Sequence, residues 1–341
     1  MEILLTLIPT IIVLGALIFF HEFGHFIVAK LSGIKVNEFS MGFGPQILKI
    51  KGKETDYFIR LLPLGGYVKM EGEDAATSDP RAFNNKPPLT RLAVILAGPL
   101  MNFLIAAILL SAISFSSGIA TTQVTVIPGE PAAEAGIRDG DVIYAVDGIK
   151  VNSWEDVVDR ISNRPKEQVE ITVSRNNTLI TYNVTAKEDP DTKRGIIGIK
   201  TVVVKHSLSR SLQFGIQKTF WITKMILVGL AQMLTGKAAV DVVGPVGIFQ
   251  IVEEAAKNGI FQVMYIAALI SINLGLFNIF PIPALDGGRC VFIILEILRG
   301  RPIDLEKEGF IHFIGFVILM IFMIIVLFKD ISKLDLIKWI K

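Results

Sequence analysis

Residues 17–28 read LIFFHEFGHFIV. His21, Glu22 and His25 interrupt a run otherwise as apolar as the middle of a bilayer, where burying each ionisable group costs several kcal/mol unless a partner offsets it. On a helix, positions 21 and 25 share a face with Cβ atoms roughly 5 to 6 Å apart, so both imidazoles can reach one cation. Glu22 points beside that cation and can take a proton from an activated water. The pattern therefore supplies two metal ligands and a base. The chain has four histidines, so HExxH inside an apolar span is a rare accident. Without a metal, Glu22 would need a cationic partner, and the apolar spans offer none. Zinc would supply the charge that makes three buried polar groups tolerable.

The rest of the chain has the composition of an integral membrane protein. Of 341 residues, 51% are hydrophobic and 19% charged, and the mean hydropathy is +0.55. The net charge of +2 comes without a basic run or stripe, which excludes a nucleic-acid binder. Cys290 is the single cysteine, so no intrachain disulfide can form. Four stretches suffice to cross a hydrocarbon core: residues 1–30, carrying HEFGH, then 92–117, 259–290 and 310–329. The first lacks a basic leader and a cleavage site, and reads as a retained span. Ten Lys and Arg residues between Lys30 and Arg91, and Arg299, Arg301 and Lys307 later, assign 31–91 and the loop 291–309 to the cytoplasm and both termini to the outside. Lys329 and the three lysines of the tail, 330–341, argue mildly the other way.

Between the second and third spans the pattern changes. Residues 120–190 alternate with the period of β-strands, in QVTVI, DVIYAVDGIKV, QVEITVSR and TLITYNVTA, around one short helix opened by Ser153 with Asp156 three positions on. PGEPAAEAGIRDGD at 128–141 resembles the PDZ domains attached to bacterial proteases, which bind peptides by adding a strand to a sheet edge. Residues 191–258 mix Phe214, Phe220, Trp221 and Leu227 with Gln213, Lys218 and Lys224, which suits an amphipathic helix at the membrane surface better than the alternative, a fifth span over 211–236. The predicted fold is a polytopic α-helical membrane protein, with four transmembrane helices, an inserted mixed α/β PDZ domain and a membrane-associated β-hairpin or sheet after the first span.

A catalytic zinc needs a third protein ligand and an open fourth position. Asp286 is the only acid between Phe261 and Arg289, within NIFPIPALDGGR. Pro281 and Pro283 remove backbone donors, so the span unwinds there, which is tolerated at membrane depth only beside a cavity. Asn273 and Asn278 on the approach can serve freed backbone groups.

HEFGH in the first span, AGPLMN in the second and NxxPxPxLDGG in the third, with a PDZ insert between, together resemble the site-2 protease family in its bacterial branch with one PDZ domain, the regulator-of-sigma-factor type. The resemblance implies a zinc metalloendopeptidase of the bacterial inner membrane, its active site near the cytoplasmic side and its PDZ domain outside. It implies Zn2+ on His21, His25 and Asp286, Glu22 as general base, and Asn273 and Asn278 as holders of the substrate backbone. It implies as partners the lipid bilayer, single-span substrates such as trimmed anti-sigma factors or remnant signal peptides, and an upstream site-1 protease. It also implies a sheet at 39–70 dipping into the membrane beside the zinc. VVGPVGI at 242–248 matches a family motif without a physical account. A catalytically silent PDZ scaffold and a metal transporter remain as alternatives; against the latter, the chain has no internal repeat and no second set of ligands along a pathway.

Overall fold

The computed structural model describes residues 2–73, 77–236 and 243–333. Helix α1 (Glu2–Leu31) leads into strands β1 (Val36–Lys51) and β2 (Asp56–Met70), followed by α2 (Pro88–Ser117). Next come β3 (Ile119–Val126), α3 (Pro131–Ala135), β4 (Val142–Val146), β5 (Ile149–Lys150), α4 (Trp154–Ser162), β6 (Gln168–Arg175), β7 (Thr178–Thr185), β8 (Lys187–Glu188), β9 (Gly195–Ile196) and β10 (Ile199–Val204). Helices α5 (Leu208–Leu234), α6 (Pro245–Lys257), α7 (Ile260–Ile279), α8 (Asp286–Arg299) and α9 (Leu305–Lys333) complete the described chain. These elements form two compact units, residues 1–113 with 212–341, and residues 114–211.

In the first unit, Ile8–Leu31, Pro88–Ser117, Ile260–Ile279 and Leu305–Ser332 are long and apolar enough to cross a membrane. Without a hydrophobic drive between helices in lipid, close packing needs small residues at the crossings. A Cβ on Gly24 of α1 would overlap the Ala97 carbonyl oxygen of α2, and one on Gly275 of α7 would lie 3.0 Å from that of Pro99. Helix α5 joins the same bundle: Ile222 packs with Ala106, Leu110, Ala268 and Ile272.

The long strands β1 and β2 pair in two registers. Residues 36–41 face 66–70 on one side and 56–59 on the other, while 46–51 face 56–60. The ribbon order is therefore 46–51, 56–60, 36–41, 66–70, with Gly66–Met70 on an outer edge.

Residues 291–309, expected as a loop, instead continue a helix: α8 begins at Asp286 itself, and α9 follows after a short connection. The third membrane helix correspondingly ends at Ile279 rather than 290. Pro281 and Pro283 suggested an irregular segment through DGGR, but the bare Cα atoms of its two glycines are what lets α8 start there. A Cβ on Gly287 would overlap the carbonyl oxygens of Ile279 and Phe280, and one on Gly288 would lie 2.5 Å from that of Ile282. Cys290 and Ile293 of α8 are buried with Ala29, Ile34 and Val94, so the thiol fills core space. Arg91 pairs with Glu296, and Arg289 with Glu73.

VVGPVGI also acquires a physical account, Val242 lying outside the described residues. Gly244 is the N-cap of α6, and the buried Asp330 carboxylate of α9 accepts from the Gly244 amide at 3.3 Å and the Gly247 amide at 3.1 Å. An acid from a distant helix thus satisfies the orphan donors and the positive end of the α6 dipole. A Cβ on Gly244 would sit 2.5 Å from Val326, so only glycine admits this approach. The tail expected at 330–341 is helical to Lys333, and 334–341 lie outside the described residues.

In the second unit the main sheet runs β10-β3-β4-β6-β7. Because β10 pairs with β3, the inserted domain reaches past the boundary expected at 190. Val124, Ile143, Val157, Ile161, Ile171 and Val173 form its core. The Ser153 hydroxyl accepts from the Asp156 amide, whose carboxylate returns the bond to the Ser153 amide, the expected capping box. Asp141 is 2% exposed; Arg175 donates to both of its oxygens at 2.8 Å, and the Arg138 amide adds a third bond. The guanidinium holds the Asp141 carboxyl below its ordinary value.

Two outcomes are expected. Asp330→Ala should speed amide exchange in α6 by an amount corresponding to about 1 kcal/mol of lost capping, with the second unit unchanged. Because the Asp141 carboxyl is depressed in the folded state, its contribution is fully present above the unfolded value near about 4 and is lost as pH falls through the lower folded value. Asp141→Asn should therefore speed exchange in β4 and β6 at neutral pH and narrow its difference from wild type in acid.

Candidate metal centre

Helix α1 places His21 and His25 one turn apart, and the first turn of α8 brings Asp286 to them. The Nε2 atoms of the two histidines are 3.2 Å apart, and Asp286 Oδ2 lies 3.2 Å from His21 Nε2 and 3.4 Å from His25 Nε2. Four ligands placed about 2.0 to 2.1 Å from a tetrahedral zinc ion are separated from one another by about 3.3 Å. The three atoms thus have the edge lengths of one face of such a tetrahedron. Asp286 Oδ2 is buried and takes no hydrogen bond, so its lone pairs converge with those of the imidazoles on one point. The donor set of two imidazoles and a carboxylate suits zinc. Among the described residues, these three form the only group of His, Cys, Asp or Glu able to hold a metal.

The second membrane helix supports both histidines. His25 Nδ1 lies 2.9 Å from the Val94 carbonyl oxygen, so it donates and leaves Nε2 free to ligate. Gly98 faces the same ring, which a Cβ there would overlap. Asn102, the last residue of AGPLMN, places Nδ2 3.1 Å from His21 Nδ1.

Glu22 lines a cavity of about 260 Å³ together with His21, Gly66, Asn102, Asn278 and Asp286. Gly66 opens the outer sheet edge there: a Cβ would stand 2.9 Å from Glu22 Cγ and 2.9 Å from the Ser40 carbonyl oxygen. The edge backbone therefore passes directly over the glutamate. Asn278 reaches the cavity, whereas Asn273 does not line it and donates to the Leu269 carbonyl of its own helix at 3.0 Å.

The break between α7 and α8 is held by a residue that sequence reasoning passed over. Ala284 has φ +78°, a left-handed conformation costing a non-glycine residue about 1 to 2 kcal/mol. Its amide donates to His312 Nδ1 at 2.8 Å, and a Cβ on Gly315, one turn along α9, would lie 2.5 Å from the Pro283 carbonyl oxygen. An ionisable residue inside the fourth apolar span was the available signal.

The model of peptidase family M50 matches residues 9–322. The chain belongs to peptidase family M50. This is the site-2 protease family, and the chain is a zinc metalloprotease and a multi-pass membrane protein. A protein of Clostridium acetobutylicum whose name places it among zinc metalloproteases is 40% identical over 328 residues, covering 95% of this chain and 97% of that one. The regulator of sigma-W protease RasP of Bacillus subtilis is 32% identical, covering 97% of this chain and 99% of the relative. Among solved structures, the PDZ domain of an SdrC-like protein from Listeria monocytogenes is 22% identical, with a TM-score of 0.22, covering 25% of this chain and 88% of that one.

Gly98→Ala should displace the His25 ring and lower the zinc retained by the M50 chain after dialysis, whereas Leu100→Ala, on an exposed side of the same helix turn, should leave it unchanged.

Proposed function

We propose that this chain is an intramembrane endopeptidase that cuts single-span proteins within or near their transmembrane segments, in regulated intramembrane proteolysis. The observation that carries the reading is the convergence of His21, His25 and Asp286 at tetrahedral spacing beside Glu22, between helices apolar enough to span a bilayer. These three residues would hold the zinc, which, when bound, polarises the scissile carbonyl and lowers the pKa of the attacking water.

The chain's own groups do the remainder. The Glu22 carboxylate takes the proton from the attacking water and passes it to the leaving amine nitrogen. A helical carbonyl is hydrogen-bonded within its own helix, so a substrate must unwind before attack. The outer edge Gly66–Met70 offers an unwound segment a backbone to pair with, and the bare Gly66 lets it approach Glu22. Asn278 is placed to bond substrate backbone in the same cavity. Asn273, turned to its own helix, supports that role less well. Substrates with helix-weakening residues should be cut preferentially.

The excess of Lys and Arg between 30 and 91 supports a cytoplasmic side for the sheet, and hence an outer position for residues 114–211, in a bacterial inner membrane. There the domain would act as a PDZ module, excluding substrates not yet trimmed by a site-1 protease. Pre-trimmed anti-sigma factors and remnant signal peptides are the substrate classes that fit; the RasP relative's name, regulator of sigma-W protease, supports the first.

Purified in detergent, wild type and Glu22→Gln should each hold about one zinc, and only wild type should cut a single-span substrate within its span, the variant falling by about 10² to 10⁴ in rate. Cleavage by Glu22→Gln at the wild-type rate would remove Glu22 from the mechanism. A wild type that cuts only outside the membrane segment would contradict the intramembrane assignment.

A further inference from the structure

Asn102 is 0% exposed on α2, and its two side-chain ends are treated unequally. Nδ2 faces His21 Nδ1 at 3.1 Å, while Oδ1 is buried without a partner. An amide nitrogen can only donate, so with the carboxamide in this orientation the pair is satisfied only by the His21 tautomer that carries its proton on Nε2. Nε2 is the atom turned towards His25 and Asp286, and a protonated nitrogen cannot ligate.

Holding a metal reverses the demand. With Nε2 as ligand, the proton of His21 resides on Nδ1, which then needs an acceptor. A half-turn of the Asn102 carboxamide brings Oδ1 to that position, ending both the donor–donor conflict and the isolation of the oxygen. His25 already has the equivalent partner, since its Nδ1 meets the Val94 carbonyl oxygen at 2.9 Å two turns earlier on the same helix. The backbone of Asn102 is fixed independently, because Ser271 Oγ of α7 donates to its carbonyl at 2.8 Å. Side-chain changes at 102 therefore leave the helix contact in place.

We propose that Asn102 is the positioning residue of His21: its carboxamide oxygen accepts the Nδ1 proton of the ligating imidazole and so fixes both the tautomer and the ring plane. The inference rests on the assignment of zinc to His21, His25 and Asp286. It gives the final residue of AGPLMN a chemical task, and places both imidazole partners on one helix, so that the packing of α2 on α1 sets the metal affinity.

The test uses the full chain in detergent, with zinc affinity measured by chelator competition for wild type, Asn102→Leu and Asn102→Asp. Leucine keeps the branched skeleton without an acceptor, and aspartate restores one. Asn102→Leu should bind zinc about 10- to 100-fold more weakly, and Asn102→Asp should recover most of that loss. Cobalt(II)-loaded protein supplies a second readout, because the Nδ1 protons of ligating histidines give separate exchangeable, hyperfine-shifted resonances. The His21 resonance should broaden by solvent exchange in Asn102→Leu and be retained in Asn102→Asp, with the His25 resonance unchanged in both. Equal zinc affinity in wild type and Asn102→Leu would overturn the inference while leaving the zinc assignment intact. So would a folded Asn102→Asp as weak as the leucine variant. A folded wild type that binds no zinc would overturn both.

Discussion

Three lone pairs directed at one point in apolar surroundings are the constraint on which the rest of the structure depends. Two imidazoles and a carboxylate at hydrogen-bonding separations, with the carboxylate oxygen unsatisfied, are costly to bury unless a cation joins them. The proposed ligands come from residues 21, 25 and 286, so the chain must bring its first membrane helix to the segment following its third. The glycine contacts on α1, α2 and α7, the ion pairs that hold α8, and the strained turn at Ala284 serve that closure.

The same logic explains why the third membrane helix stops where it does. A continuous helix would carry its next turn past the two histidines, and Asp286 would project from the wrong rise. Breaking the helix at Phe280 frees carbonyls that would be unaffordable in lipid. The starting turn of α8, possible only with Gly287 and Gly288, packs against them, while His312 satisfies the Ala284 amide from the fourth membrane helix. The proline pair and the glycine pair of NIFPIPALDGG thus have complementary tasks, one releasing backbone groups and the other closing over them.

Much of this was legible in the sequence because it rests on patterns of short period. HExxH on a helix, the four apolar stretches, the strand alternation of the inserted domain and its Ser153 capping box all depend on neighbours within a few residues. Contacts between distant segments were less legible. The span of α8 was hidden because Pro281 and Pro283 signal unwinding without marking where the helix resumes, and only the packed carbonyls show why Gly287 and Gly288 are needed there. The extension of the inserted domain to Val204 depends on the pairing of β10 with β3, and the VVGPVGI motif on an aspartate more than eighty residues away. Asn273 and Asn278 looked equivalent in sequence, yet only Asn278 reaches the cavity. His312 and Asn102 could have been suspected as polar residues within spans, but their partners could not.

The central claim is that one zinc ion is held by two histidines of the first membrane helix and an aspartate following the third. Zinc-edge X-ray absorption on the purified full chain, compared with Asp286→Ala, tests it most directly. The account predicts about one zinc per chain in a shell of nitrogen and oxygen at about 2.0 to 2.1 Å, two of the ligands imidazoles, with the protein carboxylate lost in the variant. A sulfur at about 2.3 Å, which only cysteine or methionine could supply, or a shell unchanged by Asp286→Ala, would contradict it.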